Sequence, residues 1–162
     1  MDYAVLFVCM GNICRSPTAE AVFKKLSSEK LEGHSLVIES AGTIGYHQGE
    51  HPDPRAIAAG KLRDYELSTI TAREVKALDF ARFDLILAMD KDNYLNLKRL
   101  ARTTNNRQHT HKIRRFLEFA TQQQYQDVPD PYYGGSRGFD LVIDLVEDAS
   151  KGLIEFIKQS QG

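Results

Sequence analysis

Residues 4–17 read AVLFVCMGNICRSP and contain the sharpest change of pattern in the chain. The first five of these residues are all apolar, which is typical of a parallel strand buried on both faces. Gly11 and Asn12 follow, and both tolerate the backbone conformations of a tight turn. Apolar residues recur at helical spacing after Pro17, and proline is favoured in the first turn of a helix. The stretch therefore predicts a strand, a turn and the start of a helix.

The rest of the chain repeats this alternation of apolar runs with helix-like segments. Further strands are predicted at residues 36–38, 85–89 and 111–116. Further helices are predicted at residues 54–64, 91–101 and 142–157. The first of these helices follows Asp53, a residue type that is favoured as an N-cap. Residues 71–74 read TARE, which has the form of a capping box and predicts one more short helix.

Strands and helices that alternate along a whole chain are typical of a parallel sheet covered by helices. We therefore expect an α/β fold. It would be a single three-layer domain over residues 1–162, with a central parallel sheet of about four strands and helices on both faces. Ligands of such sheets bind beyond the carboxyl ends of the strands, so the turn after the first strand is the first place to look for a site.

The composition excludes several functional classes. The 162 residues carry 21 Lys and Arg against 22 Asp and Glu, and this balance lacks the positive excess of a general nucleic-acid binder. The 2 cysteines, Cys9 and Cys14, are too few for a disulfide scaffold or a zinc site built on thiolates. No apolar run approaches the roughly 18 residues of a membrane span, and the first residues lack the basic charge of a secretory signal. We expect a cytoplasmic monomer that binds neither membrane nor nucleic acid.

The turn at residues 9–16 combines the features of a phosphate-binding loop. The helix that follows presents unpaired N–H groups, and Arg15 adds a planar set of donors that suits two phosphate oxygens. Cys9 stands at the mouth of the loop, where positive surroundings favour its thiolate form. A thiolate beside a bound phosphate is a nucleophile directed at phosphorus, and a hydrogen bond from Ser16 would stabilise it. The loop lacks the Gly-Lys pair of a Walker A motif, which disfavours nucleoside triphosphate hydrolysis.

Attack of a thiolate on a phosphate ester also needs an acid that protonates the leaving oxygen. The candidate is Asp130, which lies in the segment VPDPYYGG at residues 128–135. A proline on each side holds this carboxylate in an extended loop. Taken alone, however, Asp-Pro is more often an ordinary turn, so this segment by itself leaves both readings open.

Together, the loop and the distant Asp-Pro segment resemble the low-molecular-weight protein tyrosine phosphatases, whose signature is Cys, five residues, Arg and then Ser or Thr. Residues 40–43, 52–56 and 88–90 are similar to further segments of this family, and the resemblance covers nearly the full chain. It implies hydrolysis of a tyrosine-phosphorylated protein through a phosphocysteine intermediate, with inorganic phosphate as product. It also implies a mechanism that needs no metal and no organic cofactor.

The resemblance assigns roles to single residues. It makes Cys9 the nucleophile and gives Arg15 the binding of phosphate and the stabilisation of the transition state. Asp130 is then the general acid of the first step and the base that activates water in the second. The remaining residues of the phosphate-binding loop are Met10, Gly11, Asn12, Ile13, Cys14 and Ser16.

Three further residues have supporting roles by the same resemblance. Ser40 supports Asn12, which organises the loop, and Asp90 holds Arg15. Cys14 is similar to the second loop cysteine of the family, which pairs with the nucleophile under oxidation and protects it from irreversible damage. A plain role for Cys14 as a buried apolar residue stays open.

Aromatic residues near the loop indicate the substrate class. A phosphotyrosine side chain is long, so a loop at the foot of a deep slot selects it over phosphoserine. Tyr46, Tyr132 and Tyr133 are the candidate walls of this slot. The related protein arginine phosphatases resemble the loop but carry Thr at the position of Ile13, so Ile13 favours phosphotyrosine.

Two other functions compete with this interpretation. Thioredoxin-coupled arsenate reductases use a similar loop but relay oxidation through cysteines further along the chain, and this sequence has none after Cys14. A phosphopeptide-binding module or redox sensor would keep the loop without catalysis, which the presence of Asp130 disfavours.

Two features stay outside the predicted site. The basic residues between positions 98 and 115 fit a solvated surface better than a surface that recognises acidic residues beside a phosphosite. His109 and His111 would share one face of a strand, but an exposed polar pair is more probable there than a metal site.

Overall fold

The computed structural model describes residues 2–122, 124–132 and 134–161. Its strands are β1 (Tyr3–Cys9), β2 (Leu36–Gly42), β3 (Leu85–Ala88) and β4 (Ile113–Arg115). These strands form one parallel sheet in the order β2-β1-β3-β4. Its helices are α1 (Arg15–Lys30), α2 (Pro54–Leu62), α3 (Asp79–Arg82), α4 (Lys91–Thr103) and α5 (Ser136–Gln161). The predicted α/β fold with a parallel sheet of about four strands is confirmed.

The sheet is buried on both faces. Successive side chains of β1 point to opposite faces, and each face packs against helices. Val5 and Phe7 pack with residues of α1 and α5 in one apolar cluster. Leu6 and Val8 pack on the other face, with residues of α3 and α4. The Phe7 ring meets the Phe116 ring edge to face, with centroids 5.0 Å apart. This two-sided burial explains why β1 is apolar without interruption.

The carboxyl ends of three neighbouring strands lie at one edge of the sheet. Cys9, the last residue of β1, is in register with Gly42 at the end of β2. On the other side, Val8 is in register with Ala88 at the end of β3. The loops that follow these three strands therefore leave the sheet side by side, as expected for a ligand site of a parallel sheet.

A side-chain cap marks the start of α2, and a proline lies in the first turn of α1. Asp53 is the N-cap of α2 as predicted, and its carboxylate accepts a hydrogen bond from the Arg55 N–H at 2.8 Å. The first helix begins at Arg15, so Pro17 lies in its first turn, where a missing N–H leaves no helical hydrogen bond unmade.

The predicted helix at residues 71–74 is wrong. This segment is not helical, and Glu74 forms an isolated parallel bridge with Gly42. The Arg73 carbonyl accepts a hydrogen bond from the Gly42 N–H at 2.8 Å, and the Val75 N–H donates to the Gly42 carbonyl at 2.9 Å. Pairing with the end of β2 thus uses the backbone groups that a helix would need, and the short helix α3 comes later in the chain.

The fourth strand is shorter than predicted. A 3-10 turn at Arg107–Lys112 precedes β4 and contains both His109 and His111. The two histidines therefore do not share a strand face. Across the described ranges, no group of three His, Cys, Asp or Glu side chains is arranged to hold a metal ion.

The apolar stripe predicted near the C-terminus is the buried face of α5, which spans 26 residues. Its buried residues include Val142, Val146 and Ile157. Gly152 makes the closest approach to another element, because a Cβ atom added there would lie 1.7 Å from the Phe119 carbonyl oxygen. In the part of the chain that the structure describes, no helix combines the length and the apolar character of a membrane span.

Replacing Gly152 with Ala should destabilise the protein because the added methyl group collides with backbone that has no rotamer to change. We expect the free energy of unfolding to fall by about 1–3 kcal/mol, as in overpacked cores. The higher helix propensity of Ala, about 1 kcal/mol, works in the opposite direction. Urea unfolding measures the difference, with Gly135→Ala as control because a Cβ there meets no atom within 4 Å. Equal stability of the two variants would contradict this packing.

Candidate active site

The loop between β1 and α1 wraps around the sulfur of Cys9. Asn12 has a φ of 59°, in the left-handed region, which turns the loop back on itself. The Asn12 N–H donates a hydrogen bond to Cys9 Sγ at 3.3 Å. Cys9 is only 3% exposed but lines a cavity that opens to the surface. The sulfur therefore faces a small enclosed space and receives a backbone donor from its own loop.

The side chain of Asn12 is held in one orientation by its partners. The Arg73 backbone N–H donates to Asn12 Oδ1 at 3.0 Å, and a backbone N–H is always a donor. The amide nitrogen must therefore lie on the opposite side, where it donates to Ser16 Oγ at 2.8 Å and Ser40 Oγ at 3.0 Å. The bonds to Ser40 and Ser16 use both amide hydrogens, so Asn12 has no side-chain donor left over.

These bonds decide where the serine hydroxyl hydrogens point. Ser40 donates its hydrogen to the buried carboxylate of Glu20, with an oxygen–oxygen distance of 2.6 Å. Ser16 Oγ lies 3.0 Å from Cys9 Sγ and 3.5 Å from the Ala41 carbonyl oxygen. The shorter contact favours donation from Ser16 to the sulfur. The Cys9 sulfur is thus within hydrogen-bond distance of a hydroxyl and of a backbone N–H.

Arg15 is the buried cation of the site. Arg15 is only 3% exposed. Its Nη1 donates to Asp90 Oδ2 at 2.6 Å and to the Val128 carbonyl at 3.0 Å. Burial works against the charge of this guanidinium, but the negative groups Cys9, Asp90 and Asp130 outweigh burial and raise its pKa. Arg15 therefore stays charged beside the loop and supplies donors that suit a phosphate.

Asp90 has two functions at the end of β3. One carboxylate oxygen binds Arg15, and the other accepts a hydrogen bond from the Asn93 N–H at 2.7 Å. The second bond makes Asp90 the N-cap of α4. A single carboxylate thus joins the buried cation to the start of a helix on the other face of the sheet.

Asp130 faces Arg15 from the far end of the chain. Its Oδ2 lies 3.7 Å from Arg15 Nη2, and its side chain is 34% exposed. Its Oδ1 accepts a hydrogen bond from the Tyr132 N–H at 3.0 Å. The loop is also fixed from below, since the Val128 N–H donates to the Met89 carbonyl at 2.8 Å. A partly exposed carboxylate is therefore held over the phosphate-binding loop.

The Asp130 loop has one contact that the sequence did not predict. Arg55 Nη2 donates to the Tyr132 carbonyl at 3.0 Å, and its guanidinium lies over the Tyr132 ring, 5.6 Å from the centroid. Arg55 also pairs with Asp53, whose N–H donates to the Ile13 carbonyl at 2.8 Å. The start of α2 therefore connects the loop between β1 and α1 with the loop that carries Asp130.

The cavity above the loop has a volume of about 320 Å³. Its lining comprises Cys9, Met10, Gly11, Ile13, Cys14, Arg15, Ile44, Tyr46, His47, Asp130 and Tyr132. Tyr46 is 81% exposed and Tyr132 39%, so both predicted aromatic walls lie at the rim. Tyr133, the third predicted wall, lies outside the described residues. Ile44 and His47 were not predicted, although their position after β2 was a usable signal.

Cys14 is a neutral thiol in this environment. Burial is the main cause that raises its pKa to about 12, and the negative charge of Asp53 adds to the effect. Cys9 and Cys14 are both free thiols in the structure. Cys14 also lines the catalytic cavity, so the two thiols of the chain belong to one loop.

These observations define a class of site. A cysteine sulfur with two donors, a buried arginine and a carboxylate surround one cavity at the start of a helix. This is the arrangement of a phosphate-binding loop with its own nucleophile.

Comparison with known proteins identifies the family. Residues 4–161 match the model of the low molecular weight phosphotyrosine protein phosphatases. A low molecular weight protein-tyrosine-phosphatase of Streptomyces coelicolor is 42% identical over 159 residues, which are 98% of this chain and 96% of that protein. The chain belongs to the low molecular weight phosphotyrosine protein phosphatase family, whose members are hydrolases.

Solved structures agree with this assignment. A protein tyrosine phosphatase from Entamoeba histolytica superposes with a TM-score of 0.90 at 41% identity, covering 99% of both chains. YfkJ from Bacillus subtilis also has a TM-score of 0.90, at 36% identity, covering 100% of this chain and 98% of its own.

The two functions of Asp90 can be separated by substitution. Asp90→Asn keeps an oxygen that caps α4 but removes the negative charge beside Arg15, whereas Asp90→Ala removes both. We expect kcat/KM for a phosphate monoester to fall about 100-fold in both variants, since Arg15 loses its fixed position. The Ala variant should unfold with about 1 kcal/mol less free energy than the Asn variant. Steady-state kinetics and urea unfolding give the two numbers, and wild-type kcat/KM in Asp90→Asn would contradict the positioning of Arg15.

Proposed function

We propose that this protein hydrolyses phosphotyrosine in proteins, with Cys9 as nucleophile, Arg15 as phosphate-binding cation and Asp130 as general acid and base. The observation that carries the proposal is the position of Arg15. This buried guanidinium borders the same cavity as the Cys9 sulfur and lies 3.7 Å from the Asp130 carboxylate. Membership of the phosphatase family supports the same reaction.

In the first step, the thiolate of Cys9 attacks phosphorus. A bond forms between sulfur and phosphorus while the bond from phosphorus to the tyrosine oxygen breaks. Asp130 gives its proton to the departing oxygen, so tyrosine leaves as a neutral phenol. Arg15 and the N–H groups of the loop bind the phosphoryl oxygens, whose charge is spread in the transition state. A hydrogen bond from Ser16 to the sulfur stabilises the Cys9 thiolate before it attacks.

In the second step, water attacks the phosphocysteine. Asp130, now a carboxylate, takes a proton from the water as the new phosphorus–oxygen bond forms. The sulfur–phosphorus bond breaks, inorganic phosphate is released, and the Cys9 thiolate is restored. The hydrogen bond from Ser16 stabilises the sulfur as a leaving group in the same way. The cycle consumes one water molecule and returns every protein group to its initial state.

The surroundings of the loop support phosphotyrosine as substrate. Tyr46 and Tyr132 stand at the rim, where they can contact an aromatic ring whose phosphate lies on the loop. Ile13 lines the cavity with apolar surface, where the related arginine phosphatases carry Thr. An apolar wall favours a phenyl ring over a charged guanidinium.

We also propose that the chain works as a cytoplasmic monomer in which residues 1–162 form one catalytic unit. Cys9 and Asp130 lie near opposite ends of the chain, yet both line one cavity. The single chain thus supplies the nucleophile, the cation and the acid of the reaction. Two free thiols agree with a reducing compartment.

The proposed acid can be tested with two leaving groups. In Asp130→Asn, we expect kcat/KM for phosphotyrosine, which reports the first step, to fall about 10²- to 10⁴-fold, the usual contribution of general acid catalysis. The loss should be smaller with p-nitrophenyl phosphate, because p-nitrophenolate leaves readily without a proton. Asp127→Asn is the matched control. Asp127 lies in the same segment as Asp130, but it pairs with Arg115 and does not line the cavity. Equal losses with both substrates would contradict the role of Asp130.

The same assay tests the nucleophile and the noncatalytic alternatives. Cys9→Ser should remove turnover of both substrates. If the wild type shows no turnover above Cys9→Ser, the protein is a binding module or a sensor and the phosphatase proposal is wrong.

Cys14 is proposed as a redox partner of the nucleophile. A peroxide oxidises the Cys9 thiolate to a sulfenic acid, and the Cys14 thiol then attacks that sulfur to form a disulfide and release water. After exposure to hydrogen peroxide, dithiothreitol should restore most activity to the wild type. Cys14→Ser, normalised to its own untreated activity, should recover much less, because its sulfenic acid proceeds to irreversible forms. Equal recovery in both proteins would leave Cys14 as a buried apolar residue.

A further inference from the structure

A second cavity lies next to the catalytic cavity, with a volume of about 210 Å³. We call it the flanking groove. It is lined by Thr43, Ile44, Asn96, Leu97, Arg99, Leu100 and Thr103. Ile44, which is 44% exposed, lines both cavities. The groove therefore shares a lining residue with the cavity above Cys9.

Both walls of the flanking groove are attached to the catalytic loop. On one side, the Thr43 N–H donates to the Cys9 carbonyl at 2.9 Å, and the Ile44 N–H donates to the Met10 carbonyl at 3.1 Å. The other wall is α4, whose N-cap Asp90 holds Arg15. The position of the groove relative to the nucleophile is thus fixed, as a subsite for the same substrate requires.

The lining of the groove combines aliphatic surface with positive charge. Leu97 is fully buried, so the accessible aliphatic surface of the lining comes from half-buried Leu100 and from Ile44. Arg99 is exposed, and among the described residues its guanidinium donates to a neutral amide, Asn96 Oδ1, at 2.6 Å. Arg102 is exposed further along α4, and no ion pair of the described residues includes it or Arg99.

Three later basic residues of this region hold parts of the fold together. Arg114 pairs with Glu118 at 2.9 Å, and Arg115 pairs with Asp127 at 2.6 Å. Lys112 donates to the Phe80 carbonyl at 2.8 Å and so fixes the backbone. These contacts assign structural roles to the later part of the basic stretch. Arg99 lines the groove and has no carboxylate partner among the described residues.

We propose that the flanking groove binds the substrate segment next to the phosphotyrosine, with an aliphatic side chain in the groove and a carboxylate on Arg99. The proposal rests on the proposed function and narrows its substrate class to phosphotyrosine segments with neighbouring acidic and aliphatic residues. The positive charge of Arg99 favours an acidic occupant over an uncharged one, and the shared residue Ile44 places the groove beside the cavity of the phosphotyrosine. An exposed ion pair contributes little, so we expect the acidic residue to change kcat/KM about fivefold.

Matched phosphopeptides test the proposal. The first has Leu and Glu within three residues of the phosphotyrosine on each side, and the others replace every Glu with Gln, every Glu with Lys, or every Leu with Ala. Wild type, Arg99→Glu and Arg107→Glu are compared. Arg107 is exposed in the 3-10 turn and lines neither cavity, so its substitution makes the same change of net charge elsewhere. Turnover of p-nitrophenyl phosphate is measured in parallel as a substrate without flanking residues.

The wild type should prefer the Leu-Glu peptide about fivefold over the Gln peptide, and the Ala peptide should also be slower. In Arg99→Glu, the ratio of kcat/KM for the Leu-Glu peptide to that for p-nitrophenyl phosphate should fall, and the Lys peptide should become the better substrate. Arg107→Glu should keep the wild-type order.

Two outcomes would overturn the flanking groove as a substrate subsite. One is the same peptide order in Arg99→Glu and Arg107→Glu. The other is a change of oligomeric state in Arg99→Glu, seen by sedimentation, without a change of peptide order, which would assign the groove to a second copy of the chain. Failure of the wild type to hydrolyse p-nitrophenyl phosphate would instead contradict the proposed function itself.

Discussion

The hydrogen bonds of the Asn12 carboxamide are the contacts on which the geometry of the active site depends. Its oxygen accepts a hydrogen bond from the Arg73 backbone N–H, and this fixes which way the amide faces. The amide nitrogen then occupies one acceptor position on Ser16 and one on Ser40. Both hydroxyl hydrogens are thereby directed away from Asn12, and that of Ser16 reaches the sulfur of Cys9. A segment far along the chain thus controls the nucleophile through one amide.

Charge balance around Arg15 explains much of the remaining architecture. A buried guanidinium is costly unless it is paired and hydrogen-bonded. Asp90 and the Val128 carbonyl provide those partners from two separate loops. The same loops begin α4 and carry Asp130, so neutralising the cation also positions the Asp130 carboxylate and one wall of the flanking groove. Parallel strands bring these loops to one edge of the sheet, which is why residues so distant in sequence form one site.

The sequence by itself predicted several elements of secondary structure from the local spacing of residues. The buried β1, the turn with Asn12, the cap at Asp53 and the apolar stripe of α5 follow from periodicity and capping within a few residues. The sequence also predicted that Cys9 and Arg15 belong to one site, since only five residues separate them. Asp130 needed the resemblance to a family, because an Asp-Pro taken alone is more often a plain turn.

Only the tertiary structure decided which distant groups meet. The residues at 71–74 fit a capping box, yet their backbone pairs with the end of β2, because the sheet edge offers partners that a local pattern does not show. Likewise, Arg73 reaches Asn12 and Arg55 reaches Tyr132 through contacts that depend on strand register and loop length. Residue types and spacing therefore determined the chemistry of the loop. The packing of the chain determined the direction of its hydrogen bonds and the groove beside it.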